Sequence, residues 1–293
     1  MKRIITIFIV SVMLLGLSSA FAIDAGESRA VIGADLTDEQ INKVYSDFSV
    51  TRGNVKELRV TNAEERKYLD GLVSSDIIGS RSISCVYIEI LPENSGLDVT
   101  TSPNISWCSK EMYRNALITA GIDNAKVIVT APISGISGTA ALTGIYKAYE
   151  DITGEPLDDT AKLVGTQELV ITAELADEIG KYDAAVIVNE LKLILSETKN
   201  MSDDEVKEQI RIIAEQYSVS ITEGQIDQLI SLCRSLEGLS TEELQAKVES
   251  VQSTLVKLAD AKDTAGKVID SVKGFFSAIG DFFSNIFSKI TGN

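Results

Sequence analysis

The chain contains no histidine among its 293 residues. Without an imidazole there is no Ser-His-Asp or Cys-His nucleophile, no histidine metal ligand, and no side chain whose ordinary pKa lies near neutrality. Cysteine is scarce too: Cys85, Cys108 and Cys233 show no CxxC spacing, which excludes a zinc ribbon or a thioredoxin-like motif. We therefore assign no catalytic residue, no cofactor and no metal ligand, and these absences favour a protein that is not an enzyme.

Positive charge is also in short supply. The chain has 27 Lys and Arg against 43 Asp and Glu, a formal net charge of −16. Nucleic acids and anionic surfaces bind through concentrated basic residues. The composition therefore argues against a nucleic-acid partner and is typical of a soluble protein.

The first 22 residues have the pattern of a secretory signal peptide. Lys2 and Arg3 precede an apolar run over 4–17, and Ala20-Phe21-Ala22 supplies the small residues of a cleavage site. The alternative is a retained anchor, but the run is shorter than the roughly 20 residues that span a bilayer. We predict cleavage near Ala22 and an extracellular or cell-surface protein.

Export would place the thiols in an oxidising compartment, where disulfides form. Cys85 and Cys108 are then candidates for a disulfide, with Cys233 left over. The alternative is that all three are small buried hydrophobic residues.

The region 23–155 is predicted to be an α+β module. Strand patterns alternate with helical patterns and with a Pro-Glu-Asn-Ser-Gly turn at 92–96 that suggests a hairpin. The order from residue 56 is β-α-β-β-α-β, which indicates a ferredoxin-like sheet with an extra helix on each side. The predicted helices begin near 37, 62, 108 and 138, and the predicted strands are 56–61, 83–91, 97–101 and 125–130.

The region 156–239 is predicted to be an all-helical bundle. Helical patterns cover 157–179, 183–198, 203–217 and 223–236, and no strand pattern recurs. Capping boxes at Ser202…Glu205, Thr222…Gln225 and Ser240…Glu243 mark three helix starts.

The region 240–293 is predicted to be a long amphipathic helix with a heptad stripe that begins at Leu244 and Val248. Its end concentrates aromatic residues on one face. That face would contact a membrane or cell-envelope surface, bind another copy, or pack on the protein's own bundle. Its members are Phe275, Phe276, Ile279, Phe282, Phe283, Ile286, Phe287 and Ile290.

A Gly- and Ser-rich loop at 134–139 precedes a predicted helix, so its backbone N–H groups are a candidate anion site. It lacks the lysine of a Walker loop, and a simple connection is the plainer interpretation. The candidate residues are Ser134, Gly135, Ser137, Gly138 and Thr139.

Several short motifs, in this order along the chain, resemble the YpuA-like family of exported proteins. They are Gly33-Ala34-Asp35-Leu36, Glu64-Glu65 with Tyr68-Leu69, 78–84 (IGSRSIS), 112–117 (MYRNAL), 129–132 (VTAP) and 138–144 (GTAALTG). The resemblance spans nearly the whole mature chain. It implies export and a similar architecture, and it carries no catalytic residues because the family's activity is uncharacterised.

Together these observations predict an exported, non-enzymatic binding or structural protein that uses its C-terminal helix. Two alternatives remain. One is a cell-envelope hydrolase with a carboxylate site, which would need a pocket of acids with shifted pKa values. The other is a small-molecule or anion-binding protein that uses the 134–139 loop.

Overall fold

A computed structural model describes residues 25–249. The first part of this range contains the four strands that the sequence patterns indicate, a fifth strand, β1, that those patterns do not predict, and the helices between them. The elements are β1 (Ser28–Gly33), α1 (Asp38–Phe48), β2 (Lys56–Val60), α2 (Asn62–Leu69), α3 (Ser75–Ile78), β3 (Cys85–Ile90), β4 (Leu97–Thr101), α4 (Lys110–Thr119), β5 (Ala125–Thr130) and α5 (Thr139–Thr153).

The remainder of the described chain is helical. Its elements are α6 (Asp159–Ile179), α7 (Lys181–Leu193), α8 (Leu195–Thr198), α9 (Asp203–Gln216) and α10 (Glu223–Leu236). Residues 241–249 are also helical. The mixed α+β fold predicted from the sequence is thus confirmed.

The five strands form one sheet in the order β2-β1-β3-β5-β4. β1 and β2 are parallel, as are β4 and β5, whereas central β3 is antiparallel to both of its neighbours. Each parallel pair is therefore a helix-connected βαβ unit with adjacent strands. The two units flank β3.

The predicted hairpin of 83–91 with 97–101 is wrong. Both edges of β3 are already paired, with β1 and with β5, so the chain crosses the start of β5 and returns at the edge of the sheet. Asn124, just before β5, holds this crossing: its carbonyl accepts from Leu91 N at 3.0 Å and its side chain accepts from Gly96 N at 3.1 Å. The sheet consequently does not have the predicted ferredoxin-like order, in which the two βαβ units would interleave.

Helices cover both faces of the sheet. The Phe48 ring of α1 lies 6.0 Å from the Tyr87 ring of β3, between centroids. The neighbouring residue Val86 points to the other face, where α5 approaches so closely that a Cβ on Gly144 would lie 3.2 Å from the Val86 side chain. Small side chains on α5 therefore allow tight packing against β3.

The C-terminal helices form a further layer on α4. Both α6 and α7 pack against α4, and α9 and α10 pack behind them. One cluster of buried apolar residues extends from Ala30 on β1 to Val248. The division of the chain at residue 155 stays a prediction.

Local capping signals placed several helix starts correctly. Reciprocal capping boxes join Thr37 to Gln40 at α1, Ser202 to Glu205 at α9 and Thr222 to Gln225 at α10. At α2 the cap is Thr61, bonded to Glu64, one residue before the predicted Asn62. Such boxes depend on residues three positions apart, which is why they can be read from the sequence alone.

All three thiols are free and buried. The predicted Cys85–Cys108 disulfide is therefore absent, and the structure has the alternative of three buried small residues. Cys85 Sγ accepts a hydrogen bond from Gly33 N at 3.3 Å. Burial raises the pKa of both Cys85 and Cys108 to about 12, so neither is an activated nucleophile.

Candidate functional site

Motifs that carry the family resemblance meet at one end of the sheet. The segment after β1, the segment before β3 and the end of β5 come together because β3 runs antiparallel to its neighbours. Asp35 Oδ2 accepts from Ser82 N at 2.7 Å. A Cβ on Gly33 would lie 2.3 Å from Ser82 O, so this close approach requires glycine. In sheets with parallel strands, this end is where ligands commonly bind.

Glu65 of α2 is the central group at this end, and its side chain contacts the start of α5. Thr139 Oγ1 donates to Glu65 Oε1 at 2.5 Å, and Asn62 Nδ2 donates to Oε2 at 3.3 Å. Ser137 Oγ lies 3.0 Å from Thr139 Oγ1. Burial raises the pKa of Glu65 to about 7, although these hydrogen bonds and the charge of Arg66 lower it. A histidine-free chain thus has a carboxyl group that titrates near neutrality.

Glu65 has the acidity of a general acid or base but not the access. Glu65 is 1% exposed and its partner Thr139 is 2% exposed. A catalytic acid or base must reach the reacting group directly or through one water molecule. Glu65 in this position is a buried structural carboxyl. The hydrolase alternative therefore has a titratable group here, but that group does not face a cleft where a substrate could bind.

The candidate anion loop lies beside the same carboxyl. Ser134 and Gly135 are exposed, whereas Gly138 and Thr139 are buried. The helix start already has internal partners, since Ser84 Oγ accepts from Ala141 N at 3.0 Å and Glu65 accepts from Thr139. An anion here would meet a neighbouring acid, so the geometry does not favour the anion-binding alternative, which stays a prediction.

Tyr113 of α4 fixes the turn into α5. Its hydroxyl donates to Gly138 O at 2.5 Å, and Gly138 has a φ of 100°. A Cβ on Gly138 would lie 2.5 Å from the Tyr113 hydroxyl oxygen. Glycine is required here both by the backbone conformation and by the space available.

A fully buried ion pair joins the helical layer to α4, and sequence reasoning did not anticipate it. The side chains of Lys192 on α7 and Glu168 on α6 are both 0% exposed, and Nζ lies 2.7 Å from Oε1. Lys192 Nζ also donates to Asn115 O at 3.2 Å, and Thr119 Oγ1 donates to Glu168 Oε2. These contacts give both buried charges hydrogen-bonding partners and link α4, α6 and α7.

The second candidate feature is the helix root, which we define as residues 241–249. Leu244 is 5% exposed and Val248 0%, so the first two residues of the heptad stripe pack on the body of the protein. Lys247 Nζ forms an ion pair of 3.1 Å with Asp123. Gln245 Nε2 donates to Leu193 O at 2.6 Å. The body therefore holds the start of the C-terminal region in a fixed place.

The predicted Phe-rich face lies outside the described residues. Within 25–249, no helix combines the length and apolar character needed to cross a bilayer. In the same range, His, Cys, Asp and Glu residues form no group of three or more suited to a metal ion.

Comparison with known proteins agrees with the resemblance noted in the motifs. A family model described as a protein of unknown function (DUF1002) matches residues 32–258. The uncharacterized protein YpuA of Bacillus subtilis (strain 168) is 38% identical over 298 residues, covering 99% of this chain and 98% of that protein. No solved structure matches the chain.

Proposed function

The chain belongs to the DUF1002 family of proteins of unknown function, and from that premise we propose that it is an exported, non-enzymatic protein whose C-terminal amphipathic helix contacts a membrane surface. The observation that carries the proposal is the anchored helix root. The α+β body and the helical layer serve as a rigid support, and the 250–293 segment is the part that makes the contact.

The helix root supports the proposal that the body holds the C-terminal segment while that segment makes the contact. Lys247 and Gln245 fix it to the body through Asp123 and Leu193 O. After the helix root, the sequence has five phenylalanines near the end of the chain, on one face of the predicted helix, with serines and an aspartate on the opposite face. An amphipathic segment of this kind binds a membrane interface through its apolar face.

Export is supported by the N-terminal pattern of Lys2, Arg3, the apolar run over 4–17 and the small residues before Ile23. N-terminal sequencing of the protein recovered from the culture medium or cell surface tests it. A mature chain that begins at Ile23 is expected. A chain that retains Met1 and stays inside the cell would contradict the export part of the proposal.

The membrane part is tested by co-sedimentation of the purified protein with liposomes, together with its mass in solution. We expect the full chain to sediment with liposomes and a chain lacking residues 272–293 to stay in the supernatant. The double variant Phe276→Ser/Phe283→Ser should also fail to sediment. The matched double variant Ser277→Ala/Ser284→Ala, on the predicted polar face, should bind like the parent.

The two alternatives, in which the Phe-rich face contacts a second copy of the chain or the protein's own body, predict different results. A mass that falls from oligomer to monomer when residues 272–293 are removed, without liposome binding, would replace the membrane by a second copy of the chain. A monomer that binds no liposomes with or without these residues would mean that the segment packs on its own body.

A further inference from the structure

A cleft lies beside the helix root, at the opposite end of the sheet from Glu65. Its volume is about 650 Å³. Its walls come from the turn before β4, from one side of α4, from the segment before β5 and from the helix root. The residues that matter are Arg114, Ile118, Asn124, Lys247 and Leu97.

Arg114 is the distinctive group in this cleft. It is partly buried, and its guanidinium makes no hydrogen bond and no ion pair with any residue between 25 and 249. Burial lowers its pKa, and the nearby charges of Glu111 and Asp98 only partly offset that effect. The donors of a partly desolvated guanidinium thus have no acceptor among the described residues.

The charged and amide groups next to Arg114 in the cleft, on Lys247, Asp123 and Asn124, already have partners. Lys247 pairs with Asp123 at 3.1 Å. The Asn124 side chain accepts from Gly96 N at 3.1 Å and donates to Asp123 Oδ1 at 2.8 Å. Arg114 is therefore the group through which a ligand would gain most.

We propose that this cleft binds a small organic molecule through one carboxylate, which pairs with the guanidinium of Arg114 in a bidentate manner. The planar fork of arginine matches a carboxylate. One unmatched cation near Glu111 and Asp98 suits a monoanion better than a phosphate dianion, which those acids would repel. Ile118 and Leu97 supply apolar wall for the body of the molecule. Because Lys247 belongs to the helix root, such a ligand would also contact the base of the C-terminal region.

Benzoate is a suitable probe, and benzamide is its uncharged control of nearly the same shape. Binding is followed by NMR on the purified full chain at low salt, through the Arg114 side-chain N–H and the Gly96 amide. We expect saturable shifts with benzoate and none with benzamide. Arg114→Met should weaken benzoate binding by about tenfold or more, the usual loss for a charge-assisted hydrogen-bonded pair.

Two further variants separate charge, geometry and folding. Arg114→Lys keeps the charge without the fork and should bind more weakly than the parent. Arg81→Met removes an exposed arginine that has no hydrogen bond to a described residue, and it should leave binding unchanged. The proposal is overturned if benzoate gives no saturable shift, if benzamide binds equally well, if inorganic phosphate binds and benzoate does not, or if folded Arg114→Met binds like the parent.

Discussion

Replacing Lys192 by methionine should destabilise the protein far more than the loss of one surface lysine. Both Lys192 and Glu168 have side chains that are 0% exposed, 2.7 Å apart. Methionine keeps most of the volume and removes the charge, which leaves the Glu168 carboxylate buried without its counter-ion. Breaking a buried pair in this way costs about 4 kcal/mol. With a urea slope of about 2.5 kcal/mol/M, the unfolding midpoint falls by roughly 1.5 M.

The matched control is Lys162→Met. Lys162 lies on α6, the helix that carries Glu168, and its side chain is 6% exposed, but its partners Glu150 and Asp159 are 30% and 89% exposed. Water can solvate those carboxylates once the lysine is gone, so the loss should be about 1 kcal/mol. The double variant Lys192→Met/Glu168→Leu removes both buried charges and should recover most of the stability lost in Lys192→Met.

Comparison of the variants distinguishes an unpaired buried charge from lost packing. Lys162→Met makes the same change of side chain, but beside carboxylates that water can reach. Equal deficits in Lys192→Met and Lys162→Met, or strict additivity in the double variant, would refute the argument.

Two more predictions concern the other end of the sheet. The pKa of Glu65 is raised to about 7, so near neutral pH the folded chain holds a proton that the unfolded chain has released. The free energy of unfolding should therefore fall as the pH rises from 5 to 8. Urea unfolding should show this pH dependence in the parent and in the control Glu39→Gln, an exposed site, and should show less of it in Glu65→Gln. Gly138→Ala should lose about 3 kcal/mol, because its Cβ would meet the Tyr113 hydroxyl at 2.5 Å and its φ is positive. Gly135→Ala has a positive φ but open space and should lose about 1 kcal/mol in the same thermal or urea assay; similar losses for the two alanine variants would contradict the steric argument.

Elements that depend on nearby residues were predictable. The helices α6, α9 and α10 lie within two residues of their predicted bounds, because capping boxes and apolar periodicity act over a few positions. Strand β1 was missed. Its six residues carry Ser and Arg at the start and an uninterrupted apolar run afterwards, so they lack the alternation that identifies a half-buried strand.

Pairing between strands was not predictable, since it depends on which strands occupy the neighbouring edges. Turn residues at 92–96 between two alternating segments favour a hairpin when only those segments are considered. In the fold, β1 and β5 already cover both edges of β3. The short β4 has only Val99 fully buried, which is typical of an edge strand.

The adjacent residues Glu64 and Glu65 show why the candidate site could not be read from the sequence. Glu64 completes the capping box of α2, and its carboxylate pairs with Lys147 at 2.6 Å. Burial raises the pKa of Glu64, but the hydrogen bonds from Lys147 and Thr61 outweigh that effect and lower it. Glu65 points instead at Thr139, which lies 74 positions away in the chain, and burial dominates there. The two adjacent glutamates thus have pKa values shifted in opposite directions. Only the packing of α2 on α5 decides which carboxyl can hold a proton at neutral pH.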